Sequence, residues 1–224
     1  MVVGAFQRRD AMEVVMLFTM SSRTMVAGSF ALLLAASALA QQPQPVRVRG
    51  EIEKVDGNTL IVKTRDGAQL TISVPDNVRV MNFVKASLAD IKPNSYIGVT
   101  AMPQPDGSQK AIAIHIFLEA QRGTGEGHRT WDLRPGSTMT NAAVETTAAS
   151  VDGQVLTVKY KSGDKTDEKK VIVPTDAAIV AYAPAERSEL KPGAQIIIFG
   201  AQKQADGTLQ AQAVNVGKGI APPM

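Results

Sequence analysis

The stretch VRVRGEIEKVDGNTLIVKT, residues 46–64, reads as a β-hairpin. Val46, Val48, Gly50 and Ile52 alternate with Arg47, Arg49, Glu51 and Glu53. A period of two gives the strand one apolar and one wet face. Asp56-Gly57-Asn58 supplies the tight turn, where glycine accepts a positive φ, and a second strand runs from about Thr59 to Thr64. Asp66-Gly67 makes the next turn, and Leu70, Ile72 and Val74 alternate with Gln69, Thr71 and Ser73 up to Pro75.

Downstream, KASLADIKPN carries the one helical hint: Ser87 stands three residues before Asp90, and Pro93 ends the turn. Tyr96–Met102 and Lys110–Phe117 then read as strands four and five around Pro105-Asp106-Gly107. Three strands, a short helical turn and two strands in about 70 residues is the order of an OB-type barrel, with a small sandwich or another five-strand barrel as the alternative.

The same signals return later in the chain. Val55-Asp56-Gly57 recurs as Val151-Asp152-Gly153, Val74-Pro75 as Val173-Pro174, Ile91-Lys92-Pro93 as Leu190-Lys191-Pro192, and Asp106-Gly107 as Asp206-Gly207. The offset drifts steadily, as insertions in one hairpin would cause, which predicts a tandem duplication. The expected organisation is all-β: two OB-like barrels of five strands and a short helical turn each, at 46–117 and 142–217. A connector at 118–141 joins them, and 218–224 is a tail.

The opening of the first copy, V-x-G-x-I-x-x-V-D-G-x-x-L-x-V from Val48 to Val62, resembles bacterial exported proteins classed as a domain of unknown function with OB-like β structure. SLADIKPNSYIGV, Ser87 to Val99, adds to the resemblance. The second copy departs from it, with Ala148-Ala149-Ser150 ahead of Val151. These are core and turn positions, so the resemblance implies fold and export rather than an activity.

The N-terminus carries its own pattern. Arg23 precedes the uncharged run TMVAGSFALLLAASALA, which ends in Ala38-Leu39-Ala40. A basic start, an apolar core and small residues at the cleavage site predict a signal peptide over residues 1–40, with translation from Met20 giving a more conventional leader, and 41–45 as a short tail. A retained anchor is the alternative, although the run is shorter than the roughly 20 residues a span requires. Periplasmic or secreted localisation follows, with no membrane span after cleavage. The leader holds Arg8, Arg9 and Arg23 against Asp10 and Glu13, so the formal net charge of +3 falls by one on its removal. That balance predicts no polyanion partner. The chain has no cysteine, which excludes disulfides, thiolate metal sites and Cys nucleophiles.

Chemistry is sparse. Aromatic residues make up 4% of the chain and none lies between Thr59 and Val74, where an OB barrel would stack bases, so nucleic acid is not an expected partner. A catalytic triad needs a histidine, and only His115 and His128 exist; no G-x-S-x-G or P-loop is present. Arg122 to Gly127 has the look of a phosphate loop but lacks Lys-Ser/Thr and a following helix, so it reads as a flexible linker. The charge run Lys161–Lys170 reads as a solvated hairpin tip.

GHRTWDLRPGSTMTN, residues 127–141, is unlike either copy and holds the single tryptophan. Trp131 is costly to leave in water. The connector is therefore expected to dock, as a clasp between barrels or as a recognition loop, with Arg129, Trp131, Asp132 and Arg134 as the partner-binding set. The expected role is a non-enzymatic binding or scaffolding module of the cell envelope, its partner an envelope protein or small ligand. The alternative is a periplasmic metal-binding protein that holds a weakly bound Cu, Zn or Ni ion through His115, His128 and Asp132, with Glu119 and Glu126 near; no ligand spacing fixes such a site. No other cofactor is expected.

Overall fold

The computed structural model describes residues 44–151 and 153–223. The signal peptide expected over 1–40 lies outside the described residues. Fourteen strands run in chain order: β1 Val46–Asp56, β2 Thr59–Thr64, β3 Gln69–Ser73, β4 Arg79–Lys85, β5 Tyr96–Pro103, β6 Gln109–Ile116 and β7 Gly127–Thr130, then β8 Thr138–Ser150, β9 Gly153–Ser162, β10 Lys165–Pro174, β11 Ala178–Pro184, β12 Gln195–Lys203, β13 Leu209–Gln210 and β14 Ala213–Gly217. The helical elements among the described residues are three single 3-10 turns, at Leu88–Asp90, Glu119–Gln121 and Arg187–Glu189. The chain is all-β, as its period of two predicts.

Pairing closes two five-strand rings. In the first, β1 pairs β2, β2 pairs β3, β3 runs parallel to β13, β13 pairs β12, and β12 returns to β1. In the second, β8 pairs β9, β9 pairs β10, β10 runs parallel to β6, β6 pairs β5, and β5 returns to β8. Numbered within its own half, each ring has the order 1-2-3-6-5-1.

Each ring takes its first three strands from one half of the chain and its last two from the other. The boundaries expected from sequence, 46–117 and 142–217, are therefore corrected: neither half closes on itself. The cores agree. One buried cluster joins Val48, Ile52, Leu60, Val62 and Ile72 to Ile196, Ile198, Leu209 and Val214, and a second joins Ile97, Val99 and Ile114 to Val144, Leu156, Val158 and Val171.

The physical reason lies in residues 74–85 and 173–184. After Pro75 and Pro174 the chain does not turn back but runs on as β4 and β11, which pair antiparallel with Phe83 opposite Tyr182. These two strands carry the chain from one barrel to the other, and sequence reading placed no element on them. The 3-10 turns follow the exchange: Leu88 packs on the second core, while Arg187 donates hydrogen bonds to the carbonyls of Pro75 and Gly57 on the first barrel. Ser87 and Asp90 form the cap expected of them, the Ser87 backbone N–H donating to the Asp90 carboxylate at 2.8 Å.

The first strand of each barrel serves two neighbours. β1 pairs β12 over its first half and β2 over its second, with a register shift between Ile52 and Lys54; β8 does the same with β5 and β9, shifting between Val144 and Thr146. Bulges bend a strand enough to let it belong to both faces of a small barrel. Gly50 sits at that corner, where a Cβ would collide with the carbonyl oxygen of Lys63.

Candidate functional site

A third buried cluster fills the seam between the barrels. It consists of Phe83, Tyr96, Ala113, Phe117, Met139, Val180, Tyr182 and Ile197, with Trp131 and Phe199 packed against it. Residues 44–223 contain seven Phe, Tyr and Trp residues, and six of them lie here; Tyr160 alone belongs to a barrel core. The aromatic surface is thus placed at the seam and not on the strands an OB barrel would use to stack bases.

His115 sits in the middle of it. β6 has Ile114 turned into the second barrel's core, so Ala113, His115 and Phe117 face the other way. β11 lies beside that face, and His115 is 3% exposed. Its ring stands edge-on to Phe117 at 4.6 Å and to Tyr182 at 5.6 Å between centroids. Burial, with the charge of Arg129 adding to it, holds the imidazole down at about 3, so it is neutral at ordinary pH. Gly98 makes room for it: a Cβ there would overlap the His115 ring and approach Asn141 Oδ1 at 2.7 Å.

The connector closes the seam. β7 pairs with the start of β8, which begins at Thr138, inside the span expected to be connector. The backbone N–H of Trp131 donates to the Ser137 carbonyl, and Ser137 Oγ donates to the carbonyls of Trp131 and Arg134. That tight turn aims the indole inward against Phe199. The Arg47 guanidinium lies 3.6 Å over the Trp131 ring, and that of Arg129 lies 5.6 Å from it. Asp132 accepts from Arg47 Nη1 and from Arg49 Nη2, both at 2.7 Å. Burial opposes ionisation of Asp132, but the hydrogen bonds from Arg49 and Arg47 prevail and hold it at about 2. Arg47 and Arg49, which alternation assigns to the wet face of β1, are thus the anchor for the connector.

The glycine-rich turn is also held. The Thr124 carbonyl accepts from Asn141 Nδ2 at 3.0 Å and from the Tyr96 hydroxyl, and the Gly125 carbonyl accepts from Arg129 Nη1 at 2.7 Å. The flexible linker expected at 122–127 is corrected to a pinned turn.

These parts enclose a cavity of about 260 Å³, walled by Phe117, Trp131, Tyr182 and Phe199 and reached by Arg47, Arg129, His115 and Asn141. Its lining includes no Asp, Glu, Lys or Ser. Six buried side-chain polar atoms among the described residues make no hydrogen bond, and four belong to residues lining this cavity: Arg47 Nε, His115 Nδ1, Trp131 Nε1 and Asn141 Oδ1. Asn141 Nδ2 is fixed on Thr124, which leaves its oxygen as the acceptor turned elsewhere.

The sequence-derived sets divide. Arg129, Trp131 and Asp132 come together with Arg47, whereas Arg134 contributes its backbone to the Ser137 turn and leaves its side chain exposed. Of the metal candidates, His115 lines the cavity, His128 Nδ1 is 2.7 Å from the Thr140 hydroxyl with its ring stacked on Tyr160, and Asp132 is bound by two arginines. No group of three or more His, Cys, Asp or Glu side chains that could hold a metal ion occurs among the described residues. Sequence reading missed Arg47, Asn141, Tyr182 and Phe199. A signal was present for Tyr182, the recurrence of an aromatic at Phe83 and Tyr182 in a chain so poor in aromatics. Compared with known proteins, the chain matches no family model, no curated protein and no solved structure.

Proposed function

We propose that this is an exported, non-enzymatic binding module of the cell envelope, descended from a duplicated OB-like unit, which takes a small ligand in the seam cavity. One observation carries the reading. Four of the six buried polar atoms without a hydrogen-bond partner among the described residues belong to residues that line one aromatic-walled cavity. Each such group costs about 1–3 kcal/mol in a folded protein, so their clustering calls for a function. The cavity lies below the roughly 300–1,000 Å³ usual for drug-sized ligands, which sets the ligand as small.

Several features favour binding over catalysis. The cavity's one imidazole is held near 3, far from the pKa a general base needs at neutral pH. No serine, lysine or carboxylate lines the cavity to act as nucleophile or acid. Export rests on the apolar run Thr24–Ala40 and its Ala-Leu-Ala ending.

The test is retention. Chain 41–224 is incubated with a pool of small metabolites, recovered by ultrafiltration and weighed by native mass spectrometry. A compound retained by the wild type and released by Asn141→Leu is the expected result. Equal retention by both, or none by either, contradicts a ligand site at the seam.

A further inference from the structure

We infer that the seam cavity selects a small hydroxy-carboxylate with an apolar body; the inference rests on the ligand-site reading and names its chemistry. The charge comes first. Two guanidiniums reach the cavity and no carboxylate does. Arg47 is paired with Asp132 through Nη1, but its Nε is buried and makes no hydrogen bond. Arg129 uses Nη1 on the Gly125 carbonyl and forms no ion pair among the described residues. Positive charge beside low-dielectric aromatic walls attracts an anion, and a guanidinium fork fits a carboxylate best.

The remaining groups narrow the class. Trp131 Nε1 is a donor only, so it adds to the anion's contacts. Asn141 Oδ1 is an acceptor only and needs a donor from the ligand. Chloride, nitrate and sulfate offer it no donor at neutral pH, whereas a hydroxyl beside a carboxylate offers one directly. His115 Nδ1, also buried without a hydrogen-bond partner, is a neutral imidazole nitrogen that gives or takes a hydrogen bond by tautomer. Phe117, Tyr182, Phe199 and the indole face leave the rest of the ligand an apolar surround. Thr124, Gly125 and Arg129 are exposed and form the rim through which it enters.

The experiment compares three compounds of one shape by isothermal titration calorimetry on chain 41–224: mandelate, its neutral analogue phenylethanediol and its cationic analogue phenylethanolamine. Mandelate is expected to bind one per chain, roughly tenfold or more tighter than the diol, the factor a charge-assisted hydrogen bond supplies, with the amine weakest. Arg129→Gln, at the exposed rim, is expected to abolish the preference for mandelate over the diol, and Arg129→Lys to restore part of it. If the diol or the amine binds as tightly as mandelate, a ligand site remains but the anion inference is overturned. If none of the three binds at millimolar concentration, both fall.

Discussion

Asn141, Gly98 and His115 show how single residues define the seam. Asn141 Oδ1 is buried and makes no hydrogen bond, while Nδ2 bonds the Thr124 carbonyl. Replacing the side chain by leucine removes one hydrogen bond and one buried unsatisfied acceptor, so the two effects offset. Asn141→Leu is expected to unfold in urea within about 1 kcal/mol of the wild type while losing ligand retention; a strongly destabilised variant would make Asn141 a structural residue instead. Gly98→Ala forces a Cβ into the His115 ring, and overpacking of that kind costs about 1–3 kcal/mol. For His115 the unfolded chain takes up a proton near 6.5 and the folded chain only near 3. The stability of the buried neutral ring is therefore full above 6.5 and drains as pH falls through that window, by at most about 1.4 kcal/mol per pH unit. Urea midpoints measured from about pH 7 down to about pH 5 should fall more steeply for the wild type than for His115→Gln; parallel lines exclude this origin.

The elements divide into those the sequence announces and those it does not. β1, β2, β3, β5 and β6 are written in alternation and punctuated by Asp-Gly turns, and the Ser87–Asp90 cap sits where its spacing puts it. β4 and β11 were illegible because a strand that runs on past a proline and one that turns back carry the same apolar pattern. The site was legible by residue type at His115 and in the connector, where Arg129, Trp131 and Asp132 stand out. Arg47 and Asn141 read as ordinary strand residues until β7 and the Trp131 turn are laid over them. The clasp at Asp132 is half-exposed, with 50% of the side chain accessible, so its two arginine pairs contribute modestly. Asp132→Asn is expected to cost on the order of 1 kcal/mol at low salt, with the difference shrinking as salt is raised. A loss that ignores ionic strength would mean that packing of the connector, and not charge, holds it in place.

At the scale of the whole molecule, strand exchange makes the two barrels interdependent. Fragments 44–122 and 123–224, cut in the pinned turn, each hold only part of either ring. Neither is expected to fold as a monomer by circular dichroism, and mixing them should restore the native spectrum and the buried emission of Trp131. A half that folds alone as a monomer contradicts the exchange. The cavity exists only because of it, since β1 and β12 of one barrel supply Arg47 and Phe199, β6 and β8 of the other supply His115 and Asn141, and β11 between them supplies Tyr182. The most direct measurement uses the single tryptophan. The indole N–H of Trp131 gives one nitrogen-correlated resonance, and its nitrogen is one of the four unpartnered atoms. Titrated with mandelate, that resonance should move saturably in the wild type and stay still in Asn141→Leu. A resonance that stays still in the wild type at millimolar ligand, in protein that remains folded, would contradict a binding site at the seam.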